Sequence, residues 1–267
     1  MSPVLTDASV LLIGCGRLGS AIVEGWLGQD ALDPRRLMIV TPSPKAIADR
    51  AARAGALVNP SPDALSAARI VVLAVKPAKW REAVEGLSGH LSPDAVVVSV
   101  MAGVRAADIT DVLGRSVARV MPTTAVASGQ GVAALWSDHP AAAEAARSLF
   151  AHLADVVDLA DEDRIDAATA VAGSGPAYVH AFTRALASAG VQSGLSADEA
   201  IRLARGAVRS AAAASLDEDL NALIARIASP GGTTEAGLAA AAEAGLDQAA
   251  RAAVEAALKR ARELSGR

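Results

Sequence analysis

The sequence predicts an α/β N-terminal domain followed by an all-α C-terminal domain, and three observations carry that expectation. Over residues 1–160, short β-branched runs alternate with amphipathic stretches, the pattern of a parallel sheet with crossover helices. The runs IVVLAV and VVVSV are apolar almost throughout, as strands covered on both faces must be. From Ile165 onward no strand pattern recurs, and helix signals follow one another. The expected domains are therefore 1–160 and 161–267, in a chain of 267 residues long enough to bury a real core.

Each element follows from its local pattern. Strands are expected at Val10–Ile13, Leu37–Thr41, Ile70–Val75, Val96–Val100 and Val117–Met121, with later additions at Val132–Leu135 and Val156–Leu159. Helices over Leu18–Leu27, Ala46–Arg53, Trp80–Leu87, Ala106–Leu113 and Ala141–Leu153 join them. The second half reads as helices Ala177–Ala189, Ala197–Ser215, Leu220–Ala228, Glu235–Ala244 and Asp247–Leu264. Ser196 with Glu199 forms a capping box for the second of these. Asp198 and Arg202 then pair at i,i+4, and Ile201, Ala204 and Val208 make its apolar stripe. Asp158, Asp161, Glu162, Asp163 and Asp166 crowd the junction and read as a solvated linker and helix start rather than a metal site.

Composition excludes several classes. Lys and Arg number 25 against 29 Asp and Glu, for a net charge of −4, and no basic run occurs, which argues against nucleic-acid and membrane-surface partners. Met1 to Asp7 lacks the features of a signal peptide, and no stretch reaches the ~18 apolar residues of a membrane span. The single cysteine, Cys15, leaves no internal disulfide, which fits a cytoplasmic location. Alanine makes up about a quarter of the chain and aromatics only 2%, so its helices need close packing or a partner.

The segment VLLIGCGRLGSAIVEGW reads as strand, G-x-G-x-x-G (Gly14, Gly16, Gly19), then helix. Glycine is needed here because the backbone must turn tightly and approach a pyrophosphate at the helix N-terminus. The motif's position between a hydrophobic strand and an amphipathic helix makes a Rossmann-type dinucleotide site, with Gly14, Cys15, Gly16, Arg17, Leu18 and Gly19 as its loop. An NAD-selective site usually places a carboxylate at the end of the second strand. Here Thr41, Ser43 and Lys45 stand there instead, with donors and charge for a 2′-phosphate, and Arg17 can lean towards it. NADPH is the expected cofactor, with NADH possible. Cys15 reads as a small space-filler. The later strand ends complete the site: Ala74, Val75, Lys76 and Pro77, then Met101, Ala102 and Gly103, then Pro122 and Thr123.

Two patches stand out in the helical half. Ala172-Gly173-Ser174-Gly175-Pro176-Ala177-Tyr178 leads into a long helix, with Ser174 as N-cap, and its flanking glycines call for the close approach of another backbone or a ligand. Ser229-Pro230-Gly231-Gly232-Thr233-Thr234 opens another helix and exposes backbone amides suited to a small carboxylate.

In this order, GCGRLG, VKP, MAGV, RVMPTT, GSGPAY and SPGGTT resemble the pyrroline-5-carboxylate reductase family over nearly the whole chain. The resemblance implies a Rossmann domain followed by a helical dimerisation domain that interleaves with a second chain, in a homodimer or larger homo-oligomer. It implies a cyclic imino-acid substrate, 1-pyrroline-5-carboxylate, reduced by NADPH to proline. The carboxylate would meet Gly231, Gly232 and Thr233 with Ser229 nearby, and Thr234 matches the hydroxyl near the imine nitrogen. Three departures occur: Met121-Pro122-Thr123-Thr124-Ala125 replaces M-P-N-T-P, Ala172 begins the usual S-G-S-G-P, and Arg184 stands where the family often has glutamate.

The imine can be protonated before it binds, so no strongly basic side chain is required, and His90, His139, His152 and His180 lie outside these patches. Three rivals share parts of the pattern. A hydroxyacid dehydrogenase would need a catalytic lysine in the helical part, and residues 160–258 contain none. A reductase of a six-membered imino acid is kept open by Thr123–Ala125. A non-catalytic NADPH-binding regulator is opposed by the intact SPGGTT loop.

Overall fold

The computed structural model describes residues 8–214 and 218–264. The segment Met1 to Asp7, read above for targeting signals, and Ser215, the expected end of one helix, lie outside the described residues. The chain forms two compact units, Met1–Gly173 with Leu258–Arg267, and Ser174–Ala257.

The first unit is built on an eight-stranded sheet in the order β3-β2-β1-β4-β5-β6-β7-β8. The strands are β1 (Val10–Ile13), β2 (Leu37–Val40), β3 (Leu57–Val58), β4 (Ile70–Leu73), β5 (Val96–Ser99), β6 (Val117–Pro122), β7 (Gly131–Trp136) and β8 (Ala154–Asp158). Between them run α1 (Arg17–Gly28), α2 (Ala46–Arg53), α3 (Trp80–Glu85), α4 (Ala106–Leu113) and α5 (Pro140–Phe150). Strand alternation sorts side chains to the two faces. Val10 and Leu12 of β1 pack with Ile22, Trp26 and Phe150, while Leu11 and Ile13 pack with Trp80, Val84 and Ile109. Both faces are therefore covered, which is why these strands carry almost no polar residue.

Two features of the sheet depart from the expectation. β3, only two residues long, was not foreseen, because a pair of residues carries no periodicity. β7 runs antiparallel to β6, with Val120 opposite Leu135, so the sheet is not wholly parallel. Residues 123–130, which link the two strands, hold only a short 3-10 turn, too little chain for a parallel crossover.

The helical half consists of α6 (Arg164–Ala168), a π turn at Thr169–Gly173, then α7 (Gly175–Gln192), α8 (Ala197–Ala212), α9 (Leu220–Ile227), α10 (Thr233–Glu243) and α11 (Leu246–Leu264). By chain contacts α6 belongs to the first compact unit, and the second spans Ser174–Ala257. Ile165 of α6 is the reason: it is buried against Met121 and Ala134 of the sheet, which ties α6 to the first unit. The expected capping box is present, with the Glu199 amide donating to Ser196 Oγ at 3.3 Å and the Ser196 amide to Glu199 Oε2 at 2.8 Å. The Ser196 hydroxyl, which donates to Glu199 Oε2 at 2.7 Å, and then the Ser196 amide hold the Glu199 carboxyl below its ordinary range. α7 and α8 cross closely through Ala187, Ala200 and Ala204. A Cβ on Gly190 would sit 3.3 Å from that of Ala200.

Candidate active site

The three motif glycines serve three different ends. Gly14 turns the chain out of β1 at φ +97°, and a Cβ there would fall 2.6 Å from Val75 Cγ1. Its amide donates to the Val40 carbonyl at 2.8 Å, fixing the turn to β2. At Gly19 a Cβ would collide with the Gly14 carbonyl oxygen, so this glycine lets α1 pack on the strand end. Nothing lies within 4 Å of a Cβ on Gly16, which is exposed at the N-terminus of α1. Strand packing does not require that glycine, and the open space beside it suits a ligand.

That space is a cavity of about 700 Å³. It lies where β1 ends between β2 and β4, the point at which the strand order reverses and ligands of open α/β sheets bind. Gly14, Cys15 and Gly16 form its floor. The segment after β2 gives one wall, with Thr41, Ser43 and Lys45, joined by Asn59. The segment after β4 gives the other, with Ala74, Val75, Lys76, Lys79 and Glu82. Cys15 is buried, with Sγ 3.5 Å from Ser20 Oγ, as its space-filling reading expects.

Sequence reasoning missed Asn59, Lys79 and Glu82. Asn59 adopts φ +47° and accepts the Thr41 amide on Oδ1 at 2.9 Å, so it shapes the wall. Its signal was the Asn-Pro pair, a turn mark after a short apolar run. Lys79 donates to Glu82 Oε2 at 2.9 Å, a bond that raises its ammonium pKa above the ordinary lysine value. Thr41, expected to face a phosphate, is buried and donates its hydroxyl to the Ser43 carbonyl at 3.2 Å.

Several expected residues do not line this cavity: Arg17, Leu18, Gly19, Pro77, Met101, Ala102, Gly103, Pro122 and Thr123. Within α1, Leu18 packs on the core and Gly19 on the turn, while Arg17 is exposed as the helix's first residue. Met101 is itself a core residue. Pro122 ends β6, and Thr123 is buried, with its amide donating to the Val132 carbonyl at 3.0 Å and its Oγ1 accepting from the Val132 amide at 3.2 Å. Residues 101–103 follow β5, and Pro122 ends β6 with Thr123 next to it, on the same edge of the sheet as the cavity.

The acidic junction is not simply a solvated linker. Glu162 and Asp166 are buried. Glu162 Oε1 accepts from the Ala106 amide at 2.7 Å and from Arg119 Nη1 at 3.1 Å, while Oε2 meets Arg105 Nη2 at 3.0 Å. It therefore caps α4 and neutralises the buried Arg119 of β6 at once. Among the described residues no cluster of His, Cys, Asp or Glu has metal-ligand geometry.

In the second unit Ser174 does not cap α7. Its backbone is helical (φ −91°, ψ −23°), continuing the π turn, and its side chain makes no capping bond. Nothing lies within 4 Å of a Cβ on Gly175, and only Thr169 Cγ2, at 3.6 Å, near one on Gly173. The SPGGTT segment turns at Gly231 (φ +69°) into α10, with Gly232 as N-cap. The Gly231 amide donates to Glu235 Oε2 at 2.7 Å and the Gly232 amide to the Ser229 carbonyl at 2.9 Å. Thr233 and Thr234 occupy the first turn of α10, where helix geometry leaves amides without intrahelical acceptors. The expected carboxylate receptor of Gly231, Gly232 and Thr233 is thus partly engaged within the chain.

A cavity at a glycine-loop strand end and an amide-rich turn opening a helix suit a dinucleotide and a small anion. The family model of pyrroline-5-carboxylate reductase dimerisation matches residues 162–264. That of NADP oxidoreductase, coenzyme F420-dependent, matches residues 9–103. A pyrroline-5-carboxylate reductase of Pisum sativum is 34% identical over 270 residues, covering 98% of both chains. The chain belongs to the pyrroline-5-carboxylate reductase family. A solved pyrroline-5-carboxylate reductase from Coxiella burnetii superposes with a TM-score of 0.88 at 29% identity, covering 97% of this chain and 98% of that one. The NADP-bound pyrroline carboxylate reductase of Plasmodium falciparum, 24% identical, shares the fold with a TM-score of 0.80 over 97% of this chain and 99% of that one. As a pyrroline-5-carboxylate reductase family member the chain is an oxidoreductase, and its helical half is of the dimerisation type.

Proposed function

We propose that the chain reduces 1-pyrroline-5-carboxylate to proline with NADPH, the last step of proline synthesis. What carries this reading is one chain holding both a glycine-loop cavity walled by lysines and an SPGGTT turn with helix-start amides. The cavity fits a phosphorylated dinucleotide: Gly16 is open, and no carboxylate stands at the end of β2. Gly14, Cys15 and Gly16 would hold the pyrophosphate at the start of α1. Ser43, Lys45 and Lys76 would meet the adenosine phosphate and ribose, with Ala74, Val75 and Pro77 beside them. Met101, Ala102, Gly103, Pro122 and Thr123 would border the nicotinamide. NADPH, when bound, supplies a hydride to the imine carbon.

In the second unit, the Gly232 and Thr233 amides with Ser229 would orient the substrate carboxylate. The Gly231 amide, bonded to Glu235, would hold the turn in shape. The Thr234 hydroxyl would sit at the imine nitrogen, which arrives protonated, so the chain's task is orientation and charge complementarity. A cytoplasmic homo-oligomer belongs to the same proposal. Among the described residues no helix is long and apolar enough to cross a membrane.

The test follows NADPH oxidation with five- and six-membered cyclic imino acids, then with NADH. Turnover of the five-membered imine, with the higher kcat/KM for NADPH, is expected. No turnover of any imine while NADPH still binds would overturn the reading. A higher kcat/KM for the six-membered ring would assign the alternative that Thr123–Ala125 suggests.

A further inference from the structure

Three of the chain's four lysines, Lys45, Lys76 and Lys79, line one cavity. Glu82 is the one carboxylate among the residues lining it. Lys79 and Glu82 form an i,i+3 pair at 2.9 Å, their side chains 69% and 72% exposed. An exposed pair of this kind is held weakly, and a phosphate dianion offers the ammonium more charge and more acceptors than a carboxylate does.

The walls suggest which phosphate. Because β1 lies between β2 and β4, a dinucleotide whose pyrophosphate sits at Gly16 runs its adenosine end between the segments that follow those two strands. On the β2 side Thr41 is spent, its hydroxyl on the Ser43 carbonyl and its amide on Asn59, which leaves Ser43 and Lys45. Lys79 faces the same cavity from the β4 side.

We propose that Lys79 is a specificity-determining residue that reads the adenosine 2′-phosphate of NADPH, and that Glu82 restrains it until that phosphate arrives. Without the phosphate the ion pair stays closed; with it, Lys79 exchanges partners and the Glu82 charge is left to solvent. Glu82 therefore sets a cost that only a 2′-phosphorylated nucleotide offsets. This rests on the NADPH reading above and adds a second wall to its phosphate site.

The experiment measures dissociation constants of the full chain by calorimetry for NADP⁺, NAD⁺, 2′,5′-ADP and 5′-AMP. Lys79→Gln is expected to weaken NADP⁺ and 2′,5′-ADP about tenfold, the scale of one charge-assisted hydrogen bond, and to leave NAD⁺ and 5′-AMP within about twofold. Lys79→Arg should keep most of the preference. Glu82→Gln should tighten the two 2′-phosphorylated ligands alone. Equal weakening of all four ligands by Lys79→Gln, or no weakening, would overturn the proposal. A wild-type chain with no preference for 2′-phosphorylated ligands would instead overturn the cofactor reading. Both side chains are exposed, so the variants should melt as the wild type does.

Discussion

Gly16 and Gly19 stand three residues apart in one motif, yet alanine at each should fail in a different assay. At Gly16 a Cβ meets no atom of the chain and enters the cavity. Gly16→Ala should therefore keep the wild-type melting temperature and weaken NADPH by more than about tenfold, or about 1.4 kcal/mol. At Gly19 the Cβ collides with the Gly14 carbonyl. Gly19→Ala should instead lower stability by about 1–3 kcal/mol, read as a lower melting temperature. Glu235 gives a third case, since its carboxylate holds the Gly231 amide at 2.7 Å. Glu235→Ala should raise KM for the imine with cofactor affinity unchanged, and Glu235→Gln, which keeps the acceptor, should restore most of it. Thr234→Ala should lose about tenfold or more in kcat/KM with NADPH binding retained. At this scale the sequence was legible wherever residue type answers to backbone shape or charge, as at Gly14, Lys45 and Lys76. It was silent on Asn59, Lys79 and Glu82, which line the cavity only because separate segments meet there.

Elements showed their existence better than their neighbours. β1, α2 and α4 fall where strand and helix periodicity place them, because each buries one or both faces in the same core. The antiparallel turn of β7 was hidden, since a strand's own pattern does not record its direction. The acidic junction was hidden too, for charge in a sequence reads as solvent-facing until a buried partner appears. Glu162 is that case, joining the start of α4, Arg105 and the buried Arg119 of β6. Glu162→Ala should cost about 3–5 kcal/mol of stability by removing the buried carboxylate that pairs with Arg119 and accepts the Ala106 amide, measured by urea unfolding. A loss under about 1 kcal/mol would mean that the network is dispensable.

For the whole molecule, the alanine-rich composition has separate consequences in its two halves. The sheet unit buries Trp26, Trp80 and Phe150 in cores on both faces. Among the described residues of the second unit only Thr183, Ala187, Ala200 and Ala204 are buried, while Phe182, Leu203, Leu220 and Ile227 are 56–73% exposed. Alanine burial contributes little, so this unit needs a further surface against those side chains, consistent with its match to a dimerisation family. Phe182→Glu should shift the chain towards a monomer in light scattering and lower its activity in parallel. The central claim, that this chain makes proline from a cyclic imine, is tested most directly by isotope transfer. The chain is incubated with 1-pyrroline-5-carboxylate and NADPH deuterated at the transferred position, and the product is read by mass spectrometry. Proline carrying one deuterium is the predicted result; the absence of labelled proline from a chain that binds NADPH would contradict the account.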